Sequence, residues 1–245
     1  MSALRCLVLG GTGAVGRAVC DALASRKVRV AFTFHTHEAI ARDLGATMQG
    51  SAALALDLRA ADEIAAVVER AVGALGWLDA LVHCAAVAQR RRDGVPFHPG
   101  VSDIEAADLD DLMEVNVRSA FLAVRAAAPH LCASRGSIVF ASSVEAVRPV
   151  RSAAHYSASK CALVGLARGL SKELGPQGVR VNVVAAGIMD QGVTSGLPPV
   201  FRLAYEKHAA LGRLPRPDEV ARVIAHFACA PGYVTGQVLS VTGGL

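Results

Sequence analysis

Tyr156 and Lys160 stand four apart in Tyr-Ser-Ala-Ser-Lys, a spacing that puts both side chains on one face of a helix. A phenol at its ordinary pKa of about 10 is a slow acid and a poor base at neutral pH. A nearby ammonium favours the phenolate and brings the group closer to its working range. Ser143 follows a strand-like run at 137–141, so its hydroxyl can emerge at the ligand edge of a sheet and hold a substrate oxygen beside Tyr156. A tyrosine and a lysine four apart are, by themselves, ordinary helix neighbours. Their place after a serine-bearing strand, in a chain that also carries a dinucleotide turn, points to proton transfer at a carbonyl or alcohol carbon. Hydrolysis through Ser143 lacks a base: no G-x-S-x-G elbow surrounds it, and His155 should point to another helix face than Tyr156.

The turn is Leu9-Gly10-Gly11-Thr12-Gly13-Ala14-Val15-Gly16, between an apolar run and an amphipathic stretch. Glycine permits a tight bend and lets backbone approach a pyrophosphate, while the following helix turns its positive end to the negative charge. Three glycines alone also suit a plain strand-to-helix connection; the surrounding β/α alternation favours the dinucleotide. The second strand ends in Thr33-Phe34-His35-Thr36-His37, with no acid before Glu38. An acid there would bind the ribose and repel a 2′-phosphate. Here His35 and Thr36 can accept a phosphate, which favours NADP(H) over NAD(H), although solvated loop histidines would read the same way.

The elements that must position these residues alternate along the chain. Apolar runs at 6–9, 28–34, 53–56, 78–83, 137–141, 180–185 and 238–241 read as strands, and helical patterns cover 16–25, 61–74, 109–131, 156–174 and 217–228. Strands apolar throughout belong to a sheet covered on both faces. The expectation is an α/β single-domain Rossmann fold over 1–245, with a doubly wound parallel sheet of about seven strands. Two irregular segments, 87–108 and 188–210, follow the carboxyl ends of strands, where such sheets bind ligands; 188–210 is expected to act as a substrate lid.

Composition narrows the class. Of 245 residues, 53% are apolar and 19% charged, as in a packed globule. A net charge of +4, one basic run at Arg90, Arg91 and Arg92, and 4% aromatics give no footprint for nucleic acid. No apolar stretch is long enough to span a bilayer. The six cysteines are scattered without metal-ligand spacing, so no metal site is expected and free thiols in the cytoplasm are.

In this order the motifs resemble the short-chain dehydrogenase/reductase family over essentially the whole chain. The glycine turn is similar to the family's TGxxxGxG, with Leu9 in place of threonine and Ala14 in place of the middle glycine. Asp57-Leu58 resembles the adenine-contacting acid and its neighbour. Asn116 resembles the structural and proton-relay asparagine, and Ser143, Tyr156 and Lys160 the catalytic serine and YxxxK pair. The ending, Tyr233-Val234-Thr235-Gly236-Gln237 through Gly243-Gly244, is similar to that of 3-oxoacyl-carrier-protein reductases. The resemblance implies that Tyr156 protonates a carbonyl oxygen, Lys160 tunes Tyr156 and binds the nicotinamide ribose, Ser143 positions substrate, and Asn116 supports a water relay. It also implies cofactor contacts at Gly10, Thr12, Gly13, Ala14, Val15, Gly16, Asp57, Leu58, Cys84, Ala85, Ala86, Gly187 and Met189. The implied substrate is a small molecule or a carrier-bound acyl group, and the implied assembly a homo-tetramer or dimer.

Beyond the glycine turn, the chain departs from the family in five places. His83-Cys84-Ala85-Ala86 stands where Asn-Asn-Ala-Gly is usual. Ala186-Gly187 replaces Pro-Gly, and Gln191 stands about where a threonine commonly meets the nicotinamide amide. Glu145 puts an acid on the substrate side, where it could select a hydroxylated or cationic substrate or be a solvated turn residue. Segment 87–108 is long for a 3-oxoacyl reductase. That substrate class nonetheless comes first, with Arg90–Arg92, Arg135 or Arg148 as docking charges for an acidic carrier. Other ketones, sugars and polyols, and a non-catalytic dinucleotide sensor, stay open.

Overall fold

A computed structural model describes residues 3–88, 99–230 and 232–245. The arginine run Arg90–Arg92 lies outside the described residues. Seven strands, β1 (Arg5–Leu9), β2 (Arg29–Phe34), β3 (Ala52–Ala55), β4 (Ala80–His83), β5 (Ser137–Ser143), β6 (Arg180–Ala186) and β7 (Val238–Val241), form one sheet. Its order is β3-β2-β1-β4-β5-β6-β7, and every pairing is parallel. The predicted single-domain doubly wound sheet is therefore the observed one.

Helices cover both faces, which is why the strands read as apolar runs rather than alternating ones. One face buries α3 (Glu63–Leu75), α5 (Ser119–Ser134) and α6 (Ala154–Glu173) against Leu7, Leu81, Ile138 and Phe140. The other buries α1 (Ala14–Ala24), α2 (Glu38–Thr47) and α8 (Pro217–Cys229) against Val8, Phe32, Val82 and Val184. The outermost strands β3 and β7 are partly exposed, because each has a neighbour on one side only.

The helix expected over 109–131 is two helices. Residues Ala106–Met113 form α4, and a π turn at Glu114–Arg118 separates it from α5. A π turn inserts one extra residue and marks functional positions more often than chance; here it carries the buried Asn116. Helix α7 (Pro199–His208) follows β6 and the irregular stretch before it.

Strand order reverses between β1 and β4, and a crevice opens there at the carboxyl ends. Gly10 donates to the Thr33 hydroxyl at 2.9 Å and Gly11 to the Thr33 carbonyl at 2.8 Å, so the turn is fastened to β2. Cys84 donates to the Leu9 carbonyl at 3.0 Å and holds the far lip. At the sheet's other end, the fully buried Asn182 donates to the Val234 carbonyl at 2.9 Å and accepts from the Gln237 amide at 3.1 Å. That amide side chain is the clip that brings β7 onto β6.

Replacing Asn182 with alanine removes two part-buried hydrogen bonds that hold the segment before β7. Asn182→Ala is expected to lower unfolding stability by about 2–4 kcal/mol, read from urea denaturation.

Candidate active site

One cleft runs along the carboxyl edge of the sheet. It is lined by Gly10, Thr12, Gly13, Ala14, Val15, His35, Thr36, Asp57, Leu58, Cys84, Ala85, Ala86, Ser143, Tyr156, Lys160, Gly187 and Met189. These are the residues expected from sequence, with two exceptions. Gly16 backs the turn instead of facing the cleft: a Cβ there would lie 2.0 Å from the Gly10 carbonyl oxygen. Asn116 stands one layer out and acts through its neighbours.

The glycine turn has the form a pyrophosphate requires. Gly10 adopts φ +78°, and a Cβ on it would meet Ala85 Cα at 2.7 Å. Helix α1 follows Gly13 with no side-chain cap, so Ala14 and Val15 offer first-turn amides and the positive helix end to the cleft, while the Gly13 amide donates to the Gly10 carbonyl at 3.2 Å. At the adenine end, His35 lies 3.5 Å from the Asp57 carboxylate. Arg59, which sequence reading passed over, binds Asp111 of α4 through two nitrogens at 2.7 and 3.2 Å and Asp57 at 3.4 Å. Nothing in a lone Asp-Leu-Arg signals that pairing, because Asp111 is 52 residues away.

At the inner end, β5 and α6 bring the chemical residues together. Lys160 is buried and donates to the Ala141 carbonyl at 3.3 Å, while the Ser142 hydroxyl donates to the Lys160 carbonyl at 2.9 Å. Its ammonium stands 5.7 Å from the centre of the Tyr156 ring. Burial pushes Lys160 down to about 8, against the attraction of Glu145 and Cys84. The Tyr156 phenol moves well above its ordinary value, through burial first and the Glu145 charge second, while a hydrogen bond with Ser143 works the other way. Tyr156 is thus a phenol held neutral, a proton donor in waiting. Lys160 is not the cause of that shift in the protein alone, contrary to the effect expected from spacing. The Ser143 hydroxyl donates to the Glu145 carboxylate.

Asn116 uses its whole side chain. Its oxygen accepts from the Val87 amide at 2.8 Å, and its nitrogen donates to the Val87 carbonyl and the Ser159 hydroxyl, both at 3.0 Å. Ser159 in turn donates to the Tyr156 carbonyl at 2.8 Å. The side chain therefore ties the cleft floor to α6.

The departures from the family pattern resolve structurally. Buried His83 meets the Ser119 hydroxyl at 2.8 Å, and that hydroxyl donates to the Val115 carbonyl at 2.6 Å. His83 must then carry its proton on Nε2, with Nδ1 bare and unpartnered. Burial pushes His83 down to about 3, so it is neutral, and pushes Cys84 up to about 12, so it is a thiol. Near Gln191, Thr194 also lines the cleft and donates to the Met189 carbonyl at 2.5 Å. A Cβ on Gly187 would lie 1.9 Å from the Tyr205 hydroxyl, which donates to the Thr242 carbonyl at 2.9 Å. His155 is buried, its ring nitrogens make no hydrogen bond, and burial lowers its pKa, so it offers Ser143 no base. Arg135 caps α5 at the amino edge of the sheet, away from the cleft.

Asn116→Ala removes three hydrogen bonds, one buried and two part-buried, that link the cleft floor to α6. It is expected to cost about 2–4 kcal/mol in a urea melt and to raise hydrogen exchange at Val87 and across the first turns of α6.

Comparison with known proteins extends the match beyond single motifs. A family model described as enoyl-(acyl carrier protein) reductase matches residues 11–245. A Thermotoga maritima protein, 3-oxoacyl-(acyl-carrier-protein) reductase FabG, is 34% identical over 186 residues, covering 75% of this chain and 72% of that protein. The cis-4-hydroxycyclohexanecarboxylate dehydrogenase of Sinomonas cyclohexanicum is 31% identical over 242 residues, covering 97% and 94%. A solved short-chain dehydrogenase/reductase from Serratia marcescens superposes with a TM-score of 0.89 at 32% identity, covering 98% of this chain and 97% of that one. Sequence and fold agree along nearly the full length, and the chain belongs to the short-chain dehydrogenase/reductase family of NAD(P)-dependent oxidoreductases.

Proposed function

We propose that the protein is an NADPH-dependent ketone reductase, with a 3-oxoacyl thioester, linked to a carrier protein or coenzyme A, as its substrate. The observation that carries the reading is the neutral Tyr156 phenol beside Ser143 and buried Lys160, at the inner end of a dinucleotide-shaped cleft. The nicotinamide, when bound, supplies the hydride. Tyr156 gives its proton to the oxygen that receives the developing charge, and the Lys160 ammonium stabilises the phenolate left behind. Lys160 also faces the place of the nicotinamide ribose. Asn116 acts by position, holding Val87 and α6 at fixed distance; any water relay beside it would use its backbone carbonyl.

Among the described residues of the adenine end, Arg59 is taken by two carboxylates, and Glu38 is held by Arg42 at 3.3 Å. The imidazoles of His35, 3.5 Å from Asp57, and of His37 line the cleft there as hydrogen-bond partners for a 2′-phosphate, which supports NADP(H) over NAD(H). Segment 188–210, with Thr194 and α7, borders the cleft and acts as the substrate lid. Exposed Arg148 and Arg151 stand on the loop between β5 and α6, within reach of an acidic carrier, and Arg151 stacks 5.3 Å from the Phe201 ring of the lid. The relatives named as 3-oxoacyl reductases support the thioester. The Sinomonas enzyme keeps ring ketones as the second class. A cytoplasmic homo-oligomer, tetramer or dimer, completes the reading as the family resemblance implies it; among the described residues no helix is long and apolar enough to cross a membrane.

NADPH consumption with acetoacetyl coenzyme A is expected, and Tyr156→Phe should lower kcat by about 10²–10⁴-fold while NADPH binding persists. NADPH binding without turnover of any ketone would favour a cofactor sensor instead. The reduction rate should fall above about pH 8, because Lys160 loses its proton as pH rises through its lowered value, while Tyr156 stays protonated across that range. His35→Asp should weaken NADPH binding by about tenfold or more relative to NADH, measured as the two dissociation constants.

A further inference from the structure

Glu145 sits half-buried on the turn Val144–Ala146, two residues beyond Ser143. Its carboxylate accepts the Ser143 hydroxyl proton. Its charge is felt by Tyr156 and Lys160, which line the inner end of the cleft, and by Tyr205 behind Gly187. Among the described residues, no arginine, lysine or histidine forms an ion pair with it. Lys160 points to the Ala141 carbonyl, and Arg151 to Phe201. A carboxylate offers about four acceptor positions, so Glu145 keeps capacity that the protein itself does not fill.

We propose that Glu145 is the specificity-determining residue of the substrate subsite, and that the ketone carries a hydrogen-bond donor, an ammonium or a hydroxyl, on the carbon next to its carbonyl. The geometry follows from Ser143. A carbonyl oxygen shared by Tyr156 and Ser143 lies one hydrogen bond from the serine, and Glu145 lies one hydrogen bond from it on the other side. The two are therefore separated by at most roughly 5.5 Å. A donor on the neighbouring carbon spans that gap.

The serine has one proton, and Glu145 holds it. A substrate donor that satisfies the carboxylate releases that proton to turn toward the carbonyl. A plain alkyl ketone offers nothing in exchange and must break a charge-assisted bond. An anionic substituent is repelled. The effect therefore belongs in kcat as well as in KM. The inference rests on ketone reduction, not on the thioester; a 3-oxoacyl thioester meets it when its fourth carbon carries a hydroxyl or amino group.

Four ethyl ketones of matched size test it at pH 7 with NADPH: 1-aminobutan-2-one, 1-hydroxybutan-2-one, pentan-3-one and 2-oxobutanoate. The wild type should favour the amino and hydroxy ketones over pentan-3-one by about tenfold or more in kcat/KM, with 2-oxobutanoate poorest. In E145Q and E145A the amino-to-pentanone ratio should fall by about tenfold, and 2-oxobutanoate should gain. On the protein loaded with NADP+, the calorimetric dissociation constant of 1-aminobutan-2-ol should weaken about tenfold in E145Q. NADPH binding by both variants verifies their fold. A wild-type ratio near one, or a ratio unchanged in both variants, overturns the role of Glu145 and leaves ketone reduction standing. No reduction of any of these ketones or of acetoacetyl coenzyme A overturns both.

Discussion

The side chain of Asn116 is the fastening on which the site depends. It lies buried in a π turn and makes three hydrogen bonds, two to the backbone of Val87 and one to Ser159. Val87 closes the stretch that forms the cleft floor, and Ser159 sits between Tyr156 and Lys160 on α6. One amide group thus sets the distance between the cofactor side and the proton-donating side. The π turn makes this possible. Its extra residue rotates Asn116 inward, off the face that a continuous α-helix would give it. Asparagine suits the place because it offers a donor pair and an acceptor without charge, so burying it asks for no counter-ion.

Charge is rationed around that fastening. His83 and Cys84 both border the buried Lys160, and burial keeps both neutral. Among the described residues the lysine is then the cation of the inner wall, and Glu145 the acid whose charge it feels. A second cation at His83 would push Lys160 further toward the neutral amine, and a thiolate at Cys84 would hold its proton too firmly. The same burial that keeps Tyr156 a phenol weakens Lys160, so proton donation works best where one is full and the other still charged. That window lies below about 8.

Much of this was legible in the chain. Each strand declared itself as an apolar run because both sheet faces are covered, and the register of alternation gave the doubly wound topology. The glycine turn that lines the cleft was legible because its backbone path demands glycine at Gly10 and Gly16. What escaped were contacts between residues distant in sequence. Arg59 with Asp111 and Asn116 with Val87 leave no periodic trace. The π turn escaped because a one-residue insertion barely disturbs the apolar pattern of 109–131. Tyr156 kept its predicted place but not its predicted tuning. Proximity along the helix suggests an ammonium that lowers the phenol, whereas burial and Glu145 dominate.

The changed letters at 83–86 show what a motif specifies. The family's asparagines hold a backbone path by hydrogen bonds, and this chain holds the same path with different atoms. Cys84 still donates to the Leu9 carbonyl, and Ala85 still packs against Gly10. The side-chain anchor passes to His83, which reaches Ser119 of α5 and leaves one ring nitrogen bare. That bare nitrogen is a cost of order 1–3 kcal/mol, tolerable in a sheet whose core is otherwise fully apolar at Leu81, Val82, Ile138 and Phe140. A substitution at such a position is silent for function as long as the backbone stays where the cofactor meets it. Glu145 is the opposite case, because its side chain contacts Ser143 and in our proposal meets the substrate. Changes of the first kind keep the chemistry, and changes of the second kind choose the molecule on which it acts.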